Sequence, residues 1–315
     1  MSSSRRDRVV ELMKEGQRSL VQALEEIDGG GEFGAFSWQR PGGGGGTARV
    51  LEEGRVFERA GVNVSAVHGR EVPASLVQEH PGIEGKPYFA TGISTVLHPR
   101  NPYVPAFHAN YRYFEVGSET EETDVWWFGG GADMTPNYPF EEDVRHFHGS
   151  LKAFCDRHDP NYYLHFKETC DDYFYIKHRG EMRGVGGIFF DELSPAGRGV
   201  FERDFAFVQD GIDALTGCYL PIVKRREGTP YGDRERRWQL YRRGRYVEFN
   251  LVYDRGTLFG LQTRGNIEAI LMSMPPLAHW SFAFEPEAGS LEAEMLAFLQ
   301  PRDWVGSVGV ETAKS

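Results

Sequence analysis

The run AFHANYRYFEV (106–116) alternates by residue type. Phe107, Ala109, Tyr111 and Tyr113 share one face, and His108, Asn110 and Arg112 share the other, as a period of two requires of a strand with one apolar side. YFATGISTVLH (88–98) lies just upstream and places Ser94, Val96 and His98 on one face, while DVWWFGGG (124–131) lies just downstream. VNVSAV (62–67) has the same β character, so strands follow one another here with no helical stretch between them. Strands grouped in this way predict an α+β fold built on an antiparallel sheet.

Helices are predicted around that group. Val9, Leu12, Met13, Leu20, Val21, Leu24 and Ile27 recur at helical spacing near the start. Further helices are expected over 139–158, 161–178, 200–217, 266–273 and 290–300. GGIFFDEL (186–193) and YVEFNLVYD (246–254) read as strands, the second with Tyr246, Glu248, Asn250, Val252 and Asp254 on one face. The glycine-rich GGGEFGAF (29–36) and PGGGGGTARV (41–50) lack the Lys-Ser or Lys-Thr and the strand–helix context of a phosphate loop, and read as flexible loops. There is no internal repeat and no linker-like break, which predicts one domain over 1–315.

Composition narrows the class. The 315 residues carry 35 Lys plus Arg against 46 Asp plus Glu, a net charge of −11, with 40% hydrophobic residues. That excludes a disordered or collagen-like chain and disfavours a dedicated nucleic-acid binder, which needs a basic footprint. Cys155, Cys170 and Cys218 form no CxxC pair and no even disulfide framework. No apolar run reaches the roughly 18 residues of a membrane span. Asp7, Glu11 and Glu15 argue against a transit peptide, so a cytoplasmic location is expected.

His108, Asn110 and Arg112 along one strand face would supply a proton-transfer group, an amide and a carboxylate clamp, or else form a solvated face; pattern alone leaves both open. His148 lies on the apolar stripe Val144, His148, Leu151, Cys155, where a core histidine is the usual occupant, and His178 closes a helix as a cap. The histidines 98, 108, 148 and 178 have no tight metal-ligand spacing. Segment 224–245 holds nine basic and three acidic residues, which suits a solvated helix face, contact with RNA, or carboxylate-rich ligands. Asp254 beside Arg255 suits a ligand offering both N–H donors and carboxylates.

Longer strings carry more. WQRPGGGGGTARVLEEGRVFERAGVNVS (38–65), ISTVLHPRNPYVPAFHANYRYFE (93–115), WWFGGGADMTPNY (126–138), CDDYFYIKHRGEMRGVGGIFFDEL (170–193) and GRYVEFNLVYDRGTLFGLQTRGNIEAILMSMPP (244–276) resemble the oxygen-dependent coproporphyrinogen III oxidases. The resemblance spans nearly the whole chain. It implies a curved antiparallel sheet flanked by helices and a homodimer formed through about 246–280. The implied reaction is oxidative decarboxylation of two propionates of coproporphyrinogen III to vinyl groups, giving protoporphyrinogen IX, with oxygen as co-substrate and no organic cofactor.

By position, the resemblance implies substrate contacts at Ser94, Asn110, Tyr111 and Arg112 and proton donation by His108. It implies contacts to pyrrole N–H groups and a propionate at Asp254 and Arg255. His98, His108, His148 and His178 match the divalent-metal (manganese) set of bacterial members. Those members usually carry Gly-Gly-Arg after Gln-Thr, where this chain has Arg264, Gly265 and Asn266, the corresponding substrate contact. A His-site metal-dependent hydrolase and a non-catalytic tetrapyrrole- or RNA-binding protein are the rival readings.

Overall fold

The computed structural model describes residues 4–117, 125–193, 200–262 and 265–306. Helix α1 (Arg5–Asp28) begins at Ser4, whose side chain accepts from the Asp7 N–H while Asp7 reaches back to Ser4, a closed capping box. All seven apolar residues that predict this helix are buried. Strands β1 (Gly34–Gln39), β2 (Gly44–Glu52) and β3 (Phe57–Gly69) follow, then the short helix α2 (Ala74–Glu79), β4 (Tyr88–Pro99), β5 (Ala106–Val116) and β6 (Trp126–Thr135). Helices α3 (Glu141–Cys155) and α4 (Tyr162–Tyr173) precede a small hairpin, β7 (Tyr175–Ile176) with β8 (Glu181–Met182), and then β9 (Gly187–Phe190). The rest is helical: α5 (Phe201–Arg226), α6 (Asp233–Val252), α7 (Arg255–Gln262), α8 (Ile267–Leu271) and α9 (Leu291–Phe298).

Seven strands form one sheet in the order β1-β2-β3-β4-β5-β6-β9, with every neighbouring pair antiparallel. This is the α+β architecture that the strand grouping predicts. Helices α1, α3, α4 and α5 cover one face, where Phe107, Ala109, Tyr111 and Tyr113 join a core running from Val9 to Trp304. The other face receives α2 at one end, packed on Tyr88, Phe114 and Trp127, and α6 to α8 at the other. There Tyr246 meets His98 edge-on, the Ser273 carbonyl bonds the His98 ring, and Met272 lies against Gly61. His108, Asn110 and Arg112 face the gap between these covers.

Three sequence expectations are corrected. Residues 246–254 are not a strand, because α6 starts at Asp233 and continues to Val252, with Tyr253 as its C-cap. Among its buried residues, Trp238, Gln239, Arg242, Arg243, Tyr246, Phe249 and Asn250 recur every three to four positions, with Gly244 and Arg245 also buried, a period that a nine-residue window cannot resolve. The glycine run is a strand, not a flexible loop: Gly43 and Gly44 take φ of 105° and 82° in the β1–β2 turn, and Gly45 pairs with Gln39. Helix α4 ends at Tyr173, so His178 sits in the β7–β8 turn and caps no helix.

The basic stretch is also resolved. Arg226 pairs with Asp143, Arg234 with Glu292, Arg236 and Arg243 with Glu58, and Arg242 with Glu181. Arg242, Arg243 and Arg245 are buried and answer the protein's own carboxylates, while Lys224, Arg225, Arg234 and Arg237 stay on an exposed face. Among the described residues no helix is long and apolar enough to cross a membrane.

Candidate active site

Sheet register lines up the polar face. Ser94 pairs with Asn110, which pairs with Gly131, and His108 pairs with Asp133. Arg112 lies opposite Gly129, where an added Cβ would sit 2.5 Å from the Asp191 carbonyl oxygen and 2.8 Å from the Arg112 guanidinium. Only glycine at 129 lets that side chain lie flat across β6.

Two polar clusters flank this row. In the first, His108 Nδ1 lies 2.7 Å from Asp133, and Arg183 donates to the other Asp133 oxygen at 2.6 Å and to Asn250 at 2.7 Å. A carboxylate only accepts, so Nδ1 carries the hydrogen and the Asp133 bond leaves Nε2 unengaged by it. Burial alone would raise the Asp133 pKa, but Arg183 and the His108 hydrogen bond hold it below the usual carboxylate range. Arg183 is fully enclosed, with its guanidinium 4.2 Å from the Phe174 ring centroid.

The second cluster joins β5 to the α6–α7 junction. Asp191, just after β9, accepts from Arg112 at 2.7 Å and from Arg255 at 2.5 Å. Arg112 also donates to Asn110 at 3.2 Å. Asp254 caps α7 by accepting the Thr257 N–H at 2.7 Å, and its other oxygen accepts the Tyr173 hydroxyl at 2.9 Å. That hydroxyl in turn accepts the Arg255 N–H at 3.0 Å. Burial, then the neighbouring Asp254, push the Tyr173 pKa up to about 12, so it stays a donor at neutral pH. Tyr173 stacks on Phe189 at 4.2 Å, and Tyr173, Phe174, Phe189 and Phe249 make an aromatic floor that joins the two clusters.

Two comparisons bear on this arrangement. A family model described as Coproporphyrinogen III oxidase matches residues 8–304. An oxygen-dependent coproporphyrinogen-III oxidase of Parasynechococcus marenigrum (strain WH8102) is 51% identical over 318 positions, covering 94% of this chain and 86% of the relative. This chain belongs to the coproporphyrinogen III oxidase family.

Of the positions that the family resemblance marks, Ser94, His108, Asn110 and Arg112 share the polar face of the sheet, and Asp254 and Arg255 join it through Tyr173 and Asp191. Tyr111 points to the opposite face and is fully buried against Gly211 of α5, so its side chain is core. Asn266 caps α8 by accepting from the Ala269 N–H, and Gly265 donates to the Gly260 carbonyl. Arg264 lies outside the described residues.

The four histidines that the resemblance marks for a divalent metal do not converge. His148 is buried behind the sheet with both ring nitrogens engaged, at 3.0 Å from the Tyr163 hydroxyl and 3.0 Å from the Val185 carbonyl. Burial holds its pKa down to about 3. His98 contacts the Ser273 carbonyl, and burial, then the nearby Arg243, lower its pKa to about 3. His178 binds Tyr253 and Glu248. Among the described residues, three donors come within 4.8 Å of one another at Glu79, His80 and Glu192, and none of the four is included. This donor set does not fit one divalent ion as folded.

Asp133, Arg183, Asp191 and Tyr173 escaped the sequence reading. Carrying the alternation of β6 two residues past Gly131 reaches Asp133, and carrying that of β9 past Phe189 reaches Asp191.

Proposed function

We propose that this chain catalyses the oxygen-dependent decarboxylation of two propionate groups of coproporphyrinogen III to vinyl groups, giving protoporphyrinogen IX in haem biosynthesis. For each propionate, R–CH2CH2COOH and O2 give R–CH=CH2, CO2 and H2O2, so oxygen takes the two electrons that the side chain loses. The observation that carries this reading is the convergence of Arg112 and Arg255, from β5 and α7, on one carboxylate position above an aromatic floor. A propionate suits that position, since guanidinium and carboxylate form strong, oriented hydrogen bonds.

Beside it, Asp254 retains lone pairs beyond those used by Tyr173 and Thr257 and accepts pyrrole N–H groups. Its two partners fix its orientation, which favours removal of a pyrrole proton by placing the acceptor in advance. An electron-rich, deprotonated porphyrinogen is then oxidised by oxygen itself. His108 exchanges a proton through Nε2, with its ring held by Asp133 and Arg183. The covers from α2 and from α6 to α8 limit water around the reacting ring. A second copy of the chain packs against 246–280, a segment rich in exposed apolar side chains.

The test is oxygen uptake with coproporphyrinogen III, with the product followed as its fluorescent porphyrin. Two molecules of oxygen should be consumed per product. Absence of both uptake and carboxylate loss would overturn the assignment.

A further inference from the structure

The cleft already contains a carboxylate where a propionate would bind. We infer that Asp191 is a placeholder for a substrate carboxylate: it bridges Arg112 and Arg255 and yields that position when a ligand carboxylate enters. This rests on the reading above that the two arginines hold a propionate. Asp191 spends one oxygen on each arginine, so it neutralises part of a paired positive charge and sets the spacing of the two guanidiniums.

The bridge is built to exchange. The Arg112, Arg255 and Asp191 side chains are 36%, 56% and 43% exposed, and ion pairs so open to water are weak. The neighbouring Arg183–Asp133 pair, at 2% exposure for both partners, has no such freedom. The arginines also have supports that do not depend on Asp191. Phe189 lies 5.7 Å from the Arg112 guanidinium and 5.9 Å from that of Arg255, Tyr173 lies 4.8 Å from Arg255, and the Asn110 amide oxygen holds Arg112. Both guanidiniums therefore stay in place when the carboxylate swings away.

A placeholder has two consequences. It keeps the paired cations from repelling each other in the empty cleft, and it competes with every ligand that uses them. A ligand must bring its own carboxylate to take the position. As decarboxylation reduces the ligand from four carboxylates to two, Asp191 regains the advantage, which favours product release. Asp191 is thus a specificity-determining residue that reacts with nothing.

The test compares wild type with Asp191→Asn, Asp191→Ala and Asp191→Glu, after circular dichroism has confirmed folding. Binding of coproporphyrin III, an oxidised and unreactive tetracarboxylate, is titrated by fluorescence, and KM and kcat are measured with coproporphyrinogen III. Removing a competitor should tighten porphyrin binding about three- to tenfold in both neutral variants. KM should move the same way and by more than kcat, while Asp191→Glu should stay near wild type. Weaker or unchanged binding in both neutral variants would overturn the proposal and make Asp191 a strut or a bystander. Binding is read without turnover, so tightening in a protein that takes up no oxygen would sink the oxidase reading and leave the placeholder standing.

Discussion

Arg112 combines a fixed charge, an aromatic surface beneath it and a neighbouring amide, and each constrains where a carboxylate can sit. Losing a charged hydrogen-bond partner costs roughly 1.5–3 kcal/mol, or about ten- to a hundredfold in binding. Arg112→Ala should therefore raise KM for coproporphyrinogen III by about that factor. His146→Ala, which loses one bond to the Gly217 carbonyl in the helical layer, should stay within about twofold of wild type. Steady-state kinetics of the pair decide it: a wild-type KM for Arg112→Ala would remove the arginine from the site. His108, Asn110 and Arg112 were legible because a half-buried strand writes its two faces in alternate residues. Tyr111 shows the limit of a carried-over contact, since that same alternation sends its side chain into the core. Asp133 and Asp191 were hidden because each lies past the end of an apolar run, and their partners are 25 and 79 residues distant in sequence.

Elements are joined by groups that composition does not advertise. Asp28, at the end of α1, is fully buried and accepts four backbone N–H bonds, from Gly31 and Arg55 on one oxygen and from Val56 and Phe57 on the other. Burial would raise its pKa, but these donors hold it below the usual value of 3.8. Its stabilising contribution is thus complete above about pH 4 and is lost as pH falls through the lower folded-state pKa. Asp28→Asn turns one oxygen into a donor facing donors, which should cost about 2–4 kcal/mol. Thermal denaturation at pH 7 should show a Tm lower by several degrees. The gap between variant and wild type should narrow below pH 4, where the aspartate itself takes up a proton. An equal Tm at pH 7 would show that the tie between α1 and β3 bears no strain. Helix α6 was misread for a related reason. Its helical period emerges only over the whole of Asp233–Val252, where buried arginines occupy positions that a hydrophobic pattern search counts as surface.

On the molecule as a whole, apolar exposure is unevenly spread. Of the fifteen large apolar side chains exposed among the described residues, nine lie between Leu251 and Phe284, including Ile267, Leu277, Trp280 and Phe282. The proposed second copy would cover this concentration of apolar side chains, and an obligate interface buries on the order of 2,000 Å² or more. The same segment begins beside Asp254 and Arg255, because α7 carries both the site residues at its N-terminus and exposed Phe259 and Leu261 further along. Assembly and catalysis should therefore be coupled through α7: a second copy seated on this surface would fix the helix whose first turn holds Asp254 in place. Light scattering should find a dimer at micromolar concentration, and Ile267→Glu with Phe282→Glu should shift it to monomer. The monomer should lose activity although neither substitution touches the cleft. A wild-type monomer would remove the interface, and a fully active monomeric variant would break the coupling while leaving the interface intact.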